Sequence, residues 1–173
     1  HNLYRRSLQQ HMAGATLEAA SYPAYFRALE SGRALAVADA HRALTYDVLT
    51  QRSIRLANGL RAAHGVQLGE PVGVLCQNSV PMVETMAALA QLGAVPVLIN
   101  TGLGPDALAA VIRSQNIRLL IHDDDLFELV ATALPVGVHR ISADGDPRRP
   151  SPTLSGLVSA GQGGRFFLDG RGA

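Results

Sequence analysis

The sequence predicts an α/β fold: an open, mostly parallel sheet with helices on both faces. The prediction rests on three short apolar segments that alternate with helix-like segments, namely residues 71–76, 95–99 and 118–122. Each is a near-continuous aliphatic run, which is typical of strands buried on both faces. Strands of one sheet that are joined by helical crossovers run parallel. Ligands of such sheets bind where the strands lead into the helices.

We expect a helix, a strand and a long helix before this central block. Apolar residues at roughly helical spacing predict the first helix over Thr16 to Glu30, and an apolar run over residues 34–39 predicts the strand. Thr45 is the expected N-cap of the long helix, Tyr46 to Ala63, because its hydroxyl can accept a hydrogen bond from an N–H group that has no partner inside the helix. Gly65 is the expected end of that helix.

The same signals place the remaining elements. Gly93 is expected to end the helix after the first central strand, since glycine adopts a left-handed backbone at no steric cost. Apart from the central strands, the predicted elements from that point are helices over 80–92, 105–115, 123–134 and 154–160 and strands over 138–141 and 165–168. We therefore divide the chain into a loose N-terminal arm (1–15), an α/β subdomain (16–146) and a linker with an incomplete C-terminal end (147–173).

The composition describes a chain with one buried core. Its 173 residues are 47% hydrophobic and 17% charged, and the net charge of +1 offers no electrostatic case for a nucleic-acid partner. No apolar run reaches the ~18 residues of a transmembrane segment, and no signal segment opens the chain, so a cytoplasmic location is predicted. All 15 residues counted as Lys or Arg are arginine.

Three groups of residues are candidates for metal or catalytic sites. Asp123 to Asp125 with Glu128 could bind a hard cation, but acidic residues that offset the positive end of a helix are the favoured interpretation. The histidines lack the paired spacing of a helical zinc site, so no zinc site is expected. Among them, only His122 stands at the end of a predicted strand, where a functional role is conceivable. A structural role is the favoured interpretation of His122. Cys76 is interpreted as a core residue. We expect no metal site and no catalytic residue.

Three stretches of the chain match known core motifs in order and spacing. The first runs from Leu44-Thr45-Tyr46 through Leu60, the second is residues 69–74 with Asn78-Ser79, and the third is residues 92–101. Together they resemble the start of the adenylate-forming superfamily of acyl-CoA synthetases, luciferases and peptide-synthetase adenylation domains. The resemblance covers about residues 16 to 142, and the Asn-Thr-Gly ending at residues 100–102 is closest to bacterial fatty-acid–CoA ligases.

The resemblance implies ATP-dependent activation of a fatty or other carboxylic acid by the full-length enzyme. The acid becomes an acyl-adenylate and then an acyl-CoA, with Mg²⁺ and coenzyme A as the other cofactors. Val48 stands where the family usually has glutamate, and Pro81 stands where an acid is common. The family's phosphate loop, which ends in lysine, should follow residue 160, but the chain has no lysine. We therefore expect a truncated segment that is inactive alone, binds none of these cofactors tightly and has the rest of the ligase as its partner.

Four residues are predicted to contact a cofactor: Asn78, Asn100, Thr101 and Gly102. They follow two predicted parallel strands, and in related synthetases the second of these loops lies near the coenzyme A nucleotide. The alternative, which the pattern favours, is that both asparagines bond to turn backbone. For the whole chain, the alternatives are a free-standing nucleotide-binding module without catalysis and an interaction domain whose exposed sheet edge needs a partner.

Overall fold

The computed structural model describes residues 32–148 and 150–161. A hairpin comes first, followed by a four-stranded parallel sheet in the order β4-β3-β5-β6. The strands are β1 (Leu35–Ala38), β2 (Ala43–Thr45), β3 (Pro71–Leu75), β4 (Val95–Leu98), β5 (Leu119–His122) and β6 (His139–Ser142). The predicted N-terminal arm, the helix over Thr16 to Glu30 and the strand over 165–168 lie outside the described residues.

Helices cover both faces of the parallel sheet, which confirms the predicted fold class. They are α1 (Tyr46–His64), α2 (Val80–Leu92), α3 (Pro105–Ser114), α4 (Phe127–Ala133) and α5 (Leu154–Ala160), with a 3-10 turn at Asp124–Leu126. On one face α1 packs against both α2 and α5, and on the other face α3 packs against α4. The architecture is therefore a three-layer α/β/α arrangement.

Alternating side chains of the inner strands divide the apolar core into two clusters. Val72 and Val74 of β3 belong to the cluster beneath α1, α2 and α5, whereas Leu75 belongs to the cluster beneath α3 and α4. In β5, Ile121 faces the first cluster and Leu120 the second. Successive side chains of a strand point to opposite faces, so two inner strands contribute to both clusters.

The ends of the two longest helices form as the sequence predicts. The Thr45 hydroxyl accepts a hydrogen bond from the Val48 N–H at 3.3 Å, and α1 ends at Gly65 with φ 63°. Ser79 caps α2 through the Met82 N–H at 3.3 Å, and Gly93 ends it with φ 64°. Left-handed backbone of this kind favours glycine.

One predicted strand forms with a partner that was not predicted, and one predicted helix is interrupted. The strand predicted over 34–39 forms as β1, and it pairs antiparallel with β2, which the sequence did not predict as a strand, in a sheet of its own. The single helix predicted over 123–134 is a 3-10 turn followed by the short α4. It breaks because Asp123 makes no capping bond to the helix, and its carboxylate accepts the Gln77 N–H instead.

The two lateral edges of the parallel sheet, at β6 and at β4, differ in their hydrogen bonding. At β6, the Ser142 N–H donates to the Pro152 carbonyl. At β4, the N–H groups of Val95 and Ile99 point towards β3, so the intervening Pro96 presents its nitrogen to the open edge. Proline has no N–H, so this edge lacks a donor that a further strand would need.

Among the described residues, none of the helices combines the length and the apolar character needed to span a membrane.

Candidate ligand-binding edge

The carboxyl ends of the four parallel strands lie on one side of the sheet, which we call the ligand-binding edge. It is distinct from the lateral edges formed by β4 and β6. The predicted site residues lie in the loops that follow β3 and β4, two neighbouring strands. Asn78, Asn100 and Gly102 are exposed, and Thr101 is partly exposed. The fold therefore brings the four residues to adjacent loops on the side where open α/β sheets bind ligands.

Asn100 has a role within its own turn. Its carboxamide oxygen accepts the Gly102 N–H at 2.9 Å, and its carbonyl accepts the Leu103 N–H at 3.3 Å. This is the turn-stabilising bond that sequence reasoning offered as the alternative to ligand binding. Asn78 precedes the α2 cap, so its position is set by Ser79 on one side and by the Gln77 backbone on the other.

The loops after β5 and β6 are joined by aspartate side chains. The Asp123 carboxylate accepts the Gln77 N–H at 2.6 Å and so connects the β5 loop to the β3 loop. The Asp124 carboxylate accepts the Asp144 N–H at 3.2 Å and the Gly145 N–H at 2.8 Å, which connects the β5 loop to the β6 loop. Burial raises the pKa of Asp123, as do the neighbouring acids, while the Gln77 N–H opposes the shift.

The turn of the hairpin contacts both sides of this edge. The Asp39 carboxylate accepts the Val80 N–H at 2.8 Å, at the start of α2, and also the His41 and Arg42 N–H groups. Burial works to raise the pKa of Asp39, but these backbone N–H groups and the Arg42 charge lower it on balance. The Arg42 guanidinium also forms an ion pair with Asp144. The hairpin therefore connects the α2 end of the edge with the β6 loop.

His122 lies beneath the edge and is fully buried. Its Nδ1 is 2.7 Å from the Asp123 carbonyl, so this nitrogen donates, and Nε2 has no partner among the described residues. The ring meets Phe127 edge-on, and the Arg140 guanidinium lies 3.9 Å from the Phe127 ring centre. Burial lowers the pKa of His122, and so does the Arg140 charge, although the Asp123 carbonyl opposes the shift. A neutral imidazole is the result.

Chemically reactive groups are scarce at this edge. Burial and the nearby Asp123 raise the pKa of the Cys76 thiol far above its ordinary value, so this cysteine is not a thiolate nucleophile at neutral pH. Within 32–148 and 150–161, the histidine, cysteine and acidic side chains form no group of three or more that could hold a metal ion. The edge has the groups of a binding surface, with hydroxyl, carboxamide and backbone donors.

Sequence reasoning missed the contacts made by Asp39, Arg42 and Asp144. A turn was expected at residues 39–42, and that signal was local. The partners of these residues lie 41 and 102 positions away along the chain, and no sequence pattern in a single chain reports contacts at such a distance. The tie between the Asp144 carboxylate and the Ser155 hydroxyl, at 2.6 Å, was missed for the same reason.

Comparison with known proteins identifies the family. The model of the AMP-binding enzyme family matches residues 26–160. Feruloyl-CoA synthase of an Amycolatopsis species is 43% identical over 111 residues, which cover 64% of this chain and 22% of that protein. The 3-oxocholest-4-en-26-oate–CoA ligase of Rhodococcus rhodochrous is 32% identical over 101 residues, covering 58% of this chain and 18% of that protein.

Two solved structures that superpose on this chain are also CoA ligases. A benzoate CoA ligase from Burkholderia xenovorans LB400 superposes with a TM-score of 0.73 at 25% identity, covering 85% of this chain and 29% of that one. A long-chain-fatty-acid-CoA ligase from Archaeoglobus fulgidus gives a TM-score of 0.62 at 27% identity, covering 69% and 24% of the two chains. In each comparison the chain spans less than a third of the relative's length.

Proposed function

Since the chain belongs to the AMP-binding enzyme family, we propose that it is the N-terminal part of an acyl-CoA ligase. In the complete enzyme a carboxylic acid reacts with ATP to give an acyl-adenylate and pyrophosphate, and coenzyme A then takes the acyl group as a thioester. The observation that carries the proposal is the family match across residues 26–160. The relatives named above support it, because each is a CoA ligase or synthase by name.

We further propose that this chain is inactive alone. Phosphoryl chemistry on ATP requires cations and backbone donors around the triphosphate and a carboxylate-held Mg²⁺. The described residues do not fit ATP and Mg²⁺, because the chain has no lysine and no group of three or more acidic, histidine or cysteine side chains that could hold a metal ion lies in the described part of it. The Asp123 and Asp124 carboxylates are occupied by backbone N–H groups of other loops. No step of the reaction is therefore assigned to its side chains, and tight binding of ATP, Mg²⁺ or coenzyme A is not expected.

Coenzyme A contact is proposed for the loops after β3 and β4. Asn78 and Thr101 present polar side chains, and Asn100 holds the turn that places Gly102. These residues are uncharged, so they impose no repulsion on the nucleotide phosphates of coenzyme A. The role proposed for this surface is to orient the nucleotide while the reaction takes place on groups outside the described residues.

The acid substrate has two candidate classes. The motif at residues 100–102 favours a fatty acid. The 43% identity with feruloyl-CoA synthase favours an aromatic carboxylic acid as the second candidate. A cytoplasmic location and a role in lipid metabolism accompany the first candidate as predictions.

Exchange of labelled pyrophosphate into ATP tests the proposal. The 173-residue chain is assayed alone and as a single-chain fusion to the downstream polypeptide of the Amycolatopsis feruloyl-CoA synthase, with fatty acids and ferulate as substrates. We expect no exchange by the chain alone and exchange by the fusion. Exchange by the pure chain alone would contradict its proposed inactivity, and an inactive but folded fusion would contradict the ligase assignment.

Calorimetry of the isolated chain separates the proposal from a free-standing nucleotide-binding module. ATP and coenzyme A are titrated separately into the protein. We expect no measurable heat of binding from either, because the residues present do not fit a triphosphate and the loops after β3 and β4 offer coenzyme A only uncharged contacts. Micromolar binding of either nucleotide to the chain alone would favour the module.

A further inference from the structure

The acidic residues of the described part of the chain are concentrated at the ligand-binding edge. Asp47, Asp106 and Glu128 lie in the first turns of α1, α3 and α4, whose N-termini are at this edge. Asp123 to Asp125 and Asp144 lie in the loops after β5 and β6. The small net charge of the chain, +1, therefore conceals an uneven distribution of charge.

The opposite end of the parallel sheet, where the four strands begin, carries mainly basic residues. We call it the amino end. Its basic and titratable residues are Arg61 and His64 in the last turn of α1, Arg113 in the last turn of α3, Arg118 directly before β5 and His139 at the start of β6. Among the described residues, the one acidic side chain at this end is that of Glu70, which is 13% exposed and pairs with Arg118 at 2.7 Å. The exposed charge of the amino end is therefore positive.

Two turns with the same geometry lie at the amino end, one at residues 67–70 and the other at residues 135–138. In each turn the first carbonyl accepts the N–H of the fourth residue, at 3.1 and 3.2 Å, and the third residue is a glycine with φ 75° or 85°. The second residue is apolar in both: Leu68 is 73% exposed and Val136 is 105% exposed. We call Leu68 and Val136 the apolar tips. Turns usually present Gly, Pro, Asn, Asp or Ser to solvent, so two aliphatic tips are unexpected.

Exposed apolar side chains cluster at the amino end. Among the described residues, the large apolar side chains that are exposed are Val48, Leu68, Val95, Leu98 and Val136. The apolar tips are the two most exposed of these, and Val95, at the start of β4, lies at the same end. A lone apolar residue at a surface needs no explanation, but several at one basic end do.

Strand order places basic groups between the two apolar tips. The turn at 67–70 leads into β3 and the turn at 135–138 leads into β6, and β5 lies between these two strands. Arg118, which precedes β5, therefore lies between the turns. Neighbouring strands are about 4.8 Å apart, so the turns are separated by roughly 10 Å across the sheet. Basic and apolar groups are thus interspersed over a small surface.

Helix dipoles explain part of this charge but not the apolar tips. Arg61, His64 and Arg113 lie in the last turns of helices, where basic groups offset the negative helix end. That role does not account for exposed aliphatic side chains beside them. A ligand of the amino end must therefore match basic and apolar groups together.

We propose that the amino end is a docking surface for an anionic membrane, with the apolar tips entering the headgroup region. The basic residues around the tips complement the lipid phosphates, and a membrane accepts separate apolar side chains without a matching pocket. A protein partner instead requires a continuous complementary patch. Docking in this way leaves the ligand-binding edge facing away from the membrane, because the two lie at opposite ends of the strands. The proposal is independent of the ligase assignment.

Sedimentation with lipid vesicles tests the docking surface. The 173-residue chain is mixed with vesicles of phosphatidylcholine, alone or with the anionic lipid phosphatidylglycerol. We expect binding to the anionic vesicles only, and weaker binding at higher ionic strength, because salt screens the attraction. Val136→Glu should weaken binding by about tenfold or more, because it removes an apolar tip and adds a charge that the lipid phosphates repel. Val136→Leu should bind at least as well as the original.

Val48→Glu is the matched control for Val136→Glu. Val48 is also an exposed valine, but it lies in the first turn of α1 at the ligand-binding edge. The variant therefore makes the same change in net charge and should bind as the original does. Arg113→Gln, at an exposed position of the amino end, should weaken binding about fivefold through the loss of one basic group.

Four outcomes would overturn the proposal. They are no binding of the original chain to anionic vesicles, equal binding to neutral vesicles, and equal weakening by Val136→Glu and Val48→Glu. The fourth is capture of poly-glutamate in place of vesicles, which would make the amino end a surface for acidic proteins. Circular dichroism checks folding, and Leu68→Glu replaces Val136→Glu if that variant unfolds. Pyrophosphate exchange by the single-chain fusion is measured without lipid, so it judges the proposed function separately.

Discussion

The two halves of the ligand-binding edge differ in what holds their loops. In the β5 and β6 half, the carboxylates of Asp123 and Asp124 accept backbone N–H groups from other loops, and Asp144 pairs with the hairpin. In the β3 and β4 half, Asn100 bonds within its own turn. Gly104 begins α3 without a side chain to cap it. The loops after β5 and β6 are tied by long-range charged contacts, and the loop after β4 is tied by local uncharged ones. The loop after β3 shares the first kind of contact, because its Gln77 N–H donates to the Asp123 carboxylate.

We infer from this difference that one half mainly stabilises the edge and the other mainly binds the ligand. Carboxylates that are engaged in loop-to-loop hydrogen bonds stabilise the edge, and their charge disfavours an anionic ligand beside them. In the β3 and β4 half, Asn78 and the loop residues 100–104 carry no charge of their own, although Asp106 lies in the first turn of α3. We call it the uncharged half for these loop residues. Structural variants should therefore act mainly through the acidic half, and binding variants through the uncharged half.

Loss of the Asp124 carboxylate should have the largest effect on stability. Asp124→Ala leaves the Asp144 and Gly145 N–H groups without their acceptor. We expect a loss of about 2 kcal/mol in the free energy of unfolding, since two charge-assisted bonds are removed at an exposed site. Urea unfolding measures it. Asp125→Ala, at an exposed position of the same turn, is the control and should change stability by less than about 0.5 kcal/mol.

The acidic half should also contribute a dependence of stability on pH through His122. Its lowered pKa means that the unfolded chain takes up a proton more readily than the folded one. The contribution is complete above the ordinary histidine pKa of about 6.5 and is lost as the pH falls from there through the lower folded value. Urea unfolding between about pH 7 and about pH 5 should show stability falling, and His122→Leu should flatten the profile.

A second histidine provides the control for this profile. Burial lowers the pKa of His64, as do the nearby His139 and Arg118 charges, so His64 contributes in the same direction. His64→Gln should remove that part and leave the part that belongs to His122. The raised pKa of Asp123 acts in the opposite direction, because its stabilisation declines as the pH rises. A His122→Leu profile as steep as the original would refute the role of the buried imidazole.

In the uncharged half, Asn100 should have a smaller and local effect. Asn100→Ala removes the acceptor of the Gly102 N–H, and we expect a loss of about 1 kcal/mol in the free energy of unfolding. Asn100→Asp keeps an acceptor and should retain most of the stability. Thermal unfolding of the three proteins tests the turn. Equal loss in both variants would show that the carboxamide nitrogen, and not the oxygen, carries the contribution.

The sequence predicted the elements whose signals are local. Thr45, Gly65 and Gly93 were assigned from capping chemistry, and the three central strands from apolar runs bounded by turns. The acidic loop was only partly predicted, because residues 123–125 do not open one continuous helix. Their carboxylates serve distant backbone groups, and Asp124 reaches Gly145 across 21 positions. Such contacts depend on strand order, which a single sequence specifies only through the complete fold.

Asn78 offers the finest test of the two halves, since it should matter for binding and hardly at all for stability. The side chain is exposed, so Asn78→Ala should change the free energy of unfolding by less than about 0.5 kcal/mol. In the single-chain ligase fusion, we expect the same variant to raise KM for coenzyme A several-fold while KM for ATP and the rate of pyrophosphate exchange stay unchanged. Asp125→Ala in the same fusion controls for a substitution in the acidic half. If both variants leave KM for coenzyme A unaltered, the uncharged half is structural as well, and the contrast between the halves concerns only how loops are held.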